Sequence, residues 1–166
     1  ISGKQRVNTR VGAPMFEQHY ELEVPNVLVA AMQYDNGVLG TLHMNSDSIL
    51  DERTSLEIYG TDGILLMGDP NQFGAPVYLQ KTNAQPVAFP FTHGFEQNSR
   101  GLGAAEMAWS IRAGRNHRAS KEMAFHVFET MHGIMQSAES GIAHKMQSTF
   151  TLPAALPEGY IGEGGW

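Results

Sequence analysis

Seven histidines are the first residues to test for chemistry, because imidazole is the commonest metal ligand and the usual general base near neutral pH. None falls into H-x-H or H-E-x-x-H, and His126 and His132 stand six apart, on roughly opposite sides of a helix. The spacing therefore assigns no metal ligands. Glu122 and His126 are i,i+4 neighbours and read as a solvated helix pair rather than an acid-base dyad. His43 lies in an apolar run, "VLGTLHMNS", where it can face a ligand or a sheet surface. Asp47, Asp51 and Arg53 in "SDSILDER" read as ordinary turn chemistry. No nucleophile with a base and an orienting acid can be assembled, so no catalytic residue is assigned.

Two glycines in "SRGLGAAEMAW" (Ser99 to Trp109) imitate the start of a dinucleotide-binding turn. That turn needs a small third residue for close packing and a buried strand before it. Here the third position is Glu106 and the preceding "FTHGFEQNS" is polar, so no cofactor-binding residue is assigned to this chain. The loop "THGFEQNSRG" (Thr92 to Gly101) is of more interest. It feeds a helix N-terminus, and Asn98 and Arg100 can hydrogen-bond a hydroxylated or anionic ligand. His43, Asn98 and Arg100 are the candidate substrate-binding residues.

These side chains need elements to hold them. "NVLVAAMQY" and "VLGTLHMNS" flank Asp35-Asn36-Gly37, residues that tolerate the positive φ of a tight hairpin. A second hairpin joins the run around Leu56 and Ile58 to "ILLM" through Thr61-Asp62-Gly63. "PVYLQK" and "QPVAFPF" add short strands, the latter confined to an edge by Pro86 and Pro90. After Arg100 the period becomes helical, with Leu102, Ala105, Trp109 and Ile111 as one stripe and Gly114 as C-cap. Ser120 caps a longer helix whose buried face reads as Met123, Val127, Met131, Ile134, Met135 and Ala138, closed by Gly141. "HKMQSTF" reads as a returning strand. Strands first and helices last predict an α+β fold, one layer of helices on an antiparallel sheet, in a single domain over 1–166. The strand from Val27 is apolar on both faces, which calls for cover on both sides. Either a missing part of the chain or another subunit can supply that cover, and Ala30, Ala31, Met32, Leu42 and Met44 are the candidate contacts with a second copy of the chain.

Composition narrows the function classes. A net charge of −6 and the lack of a Lys/Arg run argue against nucleic acid as a partner. No apolar stretch reaches the ~20 residues of a membrane span, so a cytoplasmic protein is expected. The chain has no cysteine, which removes disulfides and thiol nucleophiles from consideration.

The order of these signals resembles the C-terminal domain of the Gfo/Idh/MocA oxidoreductases. The stretches that carry it are "VPNVLVAAMQYDNGVLGTLHMNS", "LEIYGTDGIL", "DPNQFGAPVYL" and "RGLGAAEMAWSIRAGRNHRASKEMAFHVFETMHGIMQSAESG", over about Val24 to Gly141. The resemblance implies a two-domain enzyme in which an N-terminal Rossmann domain binds NAD or NADP. The C-terminal domain would be built on a large, mainly antiparallel open sheet with helices packed on one face, shape the pocket for a sugar, cyclitol or related polyol, and mediate homo-oligomerisation through its sheet. The family's Glu-Lys-Pro motif and Asp-x-x-x-His pair are not found here. The chain alone is thus expected to be inactive, with the Rossmann domain outside it and no cofactor of its own. A non-catalytic oligomeric scaffold with the same fold is the alternative.

Overall fold

A computed structural model of the chain describes residues 4–7, 11–46, 48, 56–97 and 99–158. The chain divides into two compact units, Ile1–Asp51 and Glu52–Trp166.

In the first unit, β1 (Lys4–Val7) pairs antiparallel with β2 (His19–Leu22). β3 (Val27–Gln33) pairs antiparallel with β4 (Leu39–Asn45) as a separate ribbon. The β3–β4 turn forms where its residues predict it. Tyr34 N–H donates to Val38 O at 2.9 Å and Gly37 N–H to Tyr34 O at 2.8 Å. Gly37 takes φ 86°, a left-handed conformation that costs glycine little. At the open end, the Asn26 carbonyl accepts from both the backbone N–H and the hydroxyl of Ser46, at 2.9 and 3.2 Å.

Antiparallel register decides which residues share a face. Leu28↔Met44, Ala30↔Leu42 and Met32↔Gly40 form one side of the ribbon, while Val27↔Asn45, Val29↔His43 and Ala31↔Thr41 form the other. Four of the five candidate contact residues, Ala30, Met32, Leu42 and Met44, thus stand together, and Ala31 faces away from them. Leu28, Ala30 and Met32 are half-buried, whereas Val29 on the opposite side is 73% exposed.

The second unit holds a four-stranded antiparallel sheet in the order β5 (Leu56–Tyr59), β6 (Ile64–Met67), β7 (Val77–Gln80), β8 (Val87–Ala88). Strand β6 lies inside the sheet and is half-buried throughout, whereas the edge strand β5 is exposed throughout. Gly63 is needed at the β5–β6 turn because a Cβ there would lie 2.7 Å from the Gln80 carbonyl oxygen. Pro86 and Pro90 leave β8 only two residues at the edge, in line with its reading as an edge strand. The sheets are therefore antiparallel and the fold is mixed α+β, with sheets of two, two and four strands among the described residues.

Helix α1 (Leu102–Ala113) ends at Gly114, φ 63°, and α2 (Lys121–Ser140) ends at Gly141, φ 71°. Both are the left-handed C-caps that their glycines predict. The Ser120 hydroxyl accepts from Met123 N–H at 3.2 Å and Glu122 sits in the first turn of α2. The inward faces differ in part from expectation. In α1 the buried residues are Glu106 and Ser110, with Leu102 and Trp109 half-buried, and Ile111 is 72% exposed. In α2, Val127, Met131 and Ala138 are exposed, whereas Met123, Ile134 and Met135 are turned inward as expected, beside His126, Glu129, Thr130 and the buried Gly133. Part of this inward stripe is polar because His126 and Glu129 bind the backbone that follows the helix. That segment is no strand: residues 143–157 run without a ladder, since side chains take the hydrogen bonds a neighbouring strand would have taken. No helix among the described residues is long and apolar enough to cross a membrane.

Candidate functional site

Arg100 lies one residue before the Gly101 N-cap of α1, at the end of the loop that begins at Thr92. Its Nη2 donates to both the backbone oxygen and Oδ1 of Asn71, the latter at 3.0 Å. Its guanidinium carbon is 5.7 Å from the centroid of the Phe73 ring, in cation–π range. Asn71 is itself fixed by a local turn, its N–H donating to Asp69 Oδ1 at 2.8 Å. The 69–74 turn and the 92–101 loop approach so closely that a Cβ on Gly74 would lie 2.5 Å from Glu96 O. Within the loop Phe95 has φ 69°, a left-handed conformation that costs a bulky residue about 1 kcal/mol or more. Arg100 is exposed, and a guanidinium carries five donors. With Nη2 committed to Asn71, the remaining edge of the fork can meet an anionic or hydroxylated ligand.

Of the other two predicted site residues, one belongs to the first unit and one is not described. His43 stands exposed on β4, paired with Val29, in the first unit. Asn98 lies outside the described residues. Among the described residues no three His, Asp or Glu side chains gather as metal ligands would.

Two carboxylates that sequence reasoning did not single out as functional are the most strongly bound groups of the second unit. Glu106 is 5% exposed. Its Oε1 accepts from Arg115 Nη1 at 2.7 Å, Arg118 Nη1 at 2.8 Å and Ser110 Oγ at 3.1 Å, and its Oε2 accepts from Arg118 N–H at 3.1 Å. Burial by itself raises the carboxyl pKa. The hydrogen bonds from Arg115, the Arg118 backbone, Ser110 and the Arg118 side chain outweigh it, lowering the pKa from 4.5 to about 2. The residue that spoils the nucleotide fingerprint is thus the anchor of the α1–α2 connection. Only the i,i+4 spacing of Glu106 and Ser110 hinted at this; the arginines lie nine and twelve residues further on.

Glu129, on α2, accepts from the backbone N–H groups of Gln147 at 2.6 Å and Ser148 at 2.8 Å, and from His144 Nε2 at 3.3 Å. The Ser148 side chain, the Gln147 N–H, the Ser148 N–H and His144 hold its pKa down to about 2, against the opposing effect of burial. His126 does not pair with Glu122. Its Nδ1 donates to Ser148 O at 3.0 Å, and its ring lies 5.2 Å from that of Phe150. Glu122 instead meets Lys121 at 3.8 Å, an exposed pair. These groups bind the chain's own backbone, and their geometry is that of fastening rather than of proton transfer. Compared with protein-family models, curated proteins and solved structures, the chain matches none.

Proposed function

We propose that the chain is the substrate-binding and oligomerisation domain of an NAD(P)-dependent oxidoreductase of the Gfo/Idh/MocA type, acting on a sugar, cyclitol or related polyol. The nicotinamide cofactor and the catalytic lysine would come from a Rossmann domain, and this domain would supply pocket wall and subunit contact. The observation that carries the reading is the β3–β4 ribbon. Val29 is exposed on one of its faces, and Leu42 and Met44 are exposed on the other at 41% and 43%. Soluble monomers rarely leave large contiguous apolar patches uncovered. A homo-oligomer packed on the sheet face would cover one side. Arg100, held by Asn71 and Phe73, would contribute to the polyol pocket.

The coding sequence upstream of Ile1 tests the enzyme reading. An in-frame G-x-G-x-x-G and a Glu-Lys-Pro motif support it, and a start codon close to Ile1 makes the chain a scaffold instead. Titration calorimetry of the chain with NAD and NADP is expected to give no binding tighter than about a millimolar, a free energy of about 4 kcal/mol. Tighter binding would place the cofactor on this chain and overturn the division of labour.

A further inference from the structure

We propose that Thr151–Glu158 is a detachable strap that holds the Thr92–Gly101 loop in its strained conformation, so that seating and release of the strap control the loop that carries Arg100. The strap has no strand partner. Side chains hold it by its carbonyls: Arg118 Nε donates to Ala154 O at 2.9 Å, Arg118 Nη2 to Ala155 O at 3.3 Å, and His93 Nε2 to Leu156 O at 2.8 Å. Since a carbonyl can only accept, His93 Nε2 carries the proton and Nδ1 accepts from the Thr92 hydroxyl at 2.8 Å. Ala154 and Ala155 are thus fastened to the α1–α2 connection and the adjoining Leu156 to the loop itself.

The two anchors differ in rigidity. Arg118 is locked from behind, because its Nη1 and its backbone N–H are both bound to buried Glu106. His93 is exposed and sits two residues before Phe95, whose φ of 69° persists only if its surroundings oppose relaxation. The Gly74–Glu96 approach restrains one side of that loop. The strap, fixed to a rigid arginine and bonded to His93, restrains the other. The strap's own residues favour this use. Pro153 and Pro157 keep it extended, its anchors read only main-chain carbonyls, and apart from the half-buried Pro153 and Leu156 its residues are exposed. Nothing in this device depends on the dehydrogenase reading.

The chain has no cysteine, so single nitroxide labels can be placed at Ala155→Cys on the strap and Glu96→Cys in the loop, both exposed positions. In the otherwise unchanged protein both spectra are expected to be motionally restricted. Arg118→Ala, made outside the loop, is expected to sharpen the Ala155→Cys spectrum and also the Glu96→Cys spectrum. The mobile fraction should rise about tenfold, the factor that a hydrogen bond from a charged donor is worth in an equilibrium. A strap label already mobile in the parent protein overturns the proposal. So does a loop label that stays restricted while Arg118→Ala frees the strap. Arg118→Ala also strips a partner from Glu106 and circular dichroism must show the helices intact. If they are lost, His93→Ala, which leaves the Glu106 cluster and the Arg118 anchor whole, decides the matter: it uncouples the loop from the strap and must free the loop label, and an unchanged Glu96→Cys spectrum refutes the strap.

Discussion

Removing the charge of Glu106 tests how far one buried ion cluster fixes the helical half of the second unit. In Glu106→Gln the side-chain shape is kept while Arg115 and Arg118 lose the anion between them. The fall in the carboxyl pKa from 4.5 to about 2 is worth about 3 kcal/mol by linkage, at ~1.4 kcal/mol per pH unit. The arginine side chains remain 28% and 23% exposed, so solvent screens part of this, and about 2 kcal/mol is the expected loss at pH 7. The sign follows from the lowered pKa. The folded state holds the proton less tightly than the unfolded one, so the stabilisation is complete above pH 4.5 and is lost as pH falls toward 2. Urea unfolding followed by helical circular dichroism, for parent and variant at pH 7 and near pH 2.5, measures both parts. The two proteins should differ at pH 7 and converge in acid. A difference below about 0.5 kcal/mol at pH 7 puts the cluster in the class of ordinary surface pairs. A difference that persists undiminished near pH 2.5 means that shape rather than charge was lost, and either result refutes the reasoning.

Glu129→Gln should speed hydrogen exchange at the Gln147 and Ser148 amides, whose N–H groups end on this carboxylate; in the parent the same protection should fade as pH drops from 4.5 toward about 2. Gly133→Ala should destabilise the protein by about 1–3 kcal/mol despite a gain of about 1 kcal/mol in helix propensity, because the new Cβ would lie 2.5 Å from His144 Cδ2. Thermal unfolding reads this loss, and adding His144→Ala should restore part of it, since the clash is with that ring. On the ribbon, Ala31→Asp should dissociate the oligomer with the circular dichroism spectrum intact, because Ala31 shares the outward face with Val29. Ala30→Asp, paired with Leu42 on the half-buried face, should lower the unfolding temperature instead. Light scattering that gives a monomer for the parent at tens of micromolar would remove the sheet-face contact.

What could be read from the sequence divides by the range over which its cause acts. The turn at Asp35-Asn36-Gly37, the Ser120 cap and the glycine C-caps at Gly114 and Gly141 depend on the φ and hydrogen bonds of residues within a few positions of each other, and each lies where its residues predict it. The inward faces of the helices do so only in part. A broad apolar stripe such as Val127, Met131 and Ala138 looks the same in sequence whether it faces the chain's own interior or a partner. In α2 the interior side is taken by His126 and Glu129, which bind the backbone of Gln147 and Ser148 about twenty residues downstream. "HKMQSTF" reads as a strand for the same reason. Its residues do alternate between half-buried and exposed, but such a pattern cannot say whether the hydrogen bonds go to another strand or to side chains. Arg100 could be picked out beside a helix start, whereas Asn71, which orients it, is 29 residues away. Glu106 is the sharpest case. In sequence it reads only as the residue that breaks a cofactor motif, because the arginines that make it structural belong to a turn that exists only once both helices are in place. Its charge therefore ranks among the interactions completed late in folding, and Glu106→Gln should accelerate unfolding more than it slows refolding.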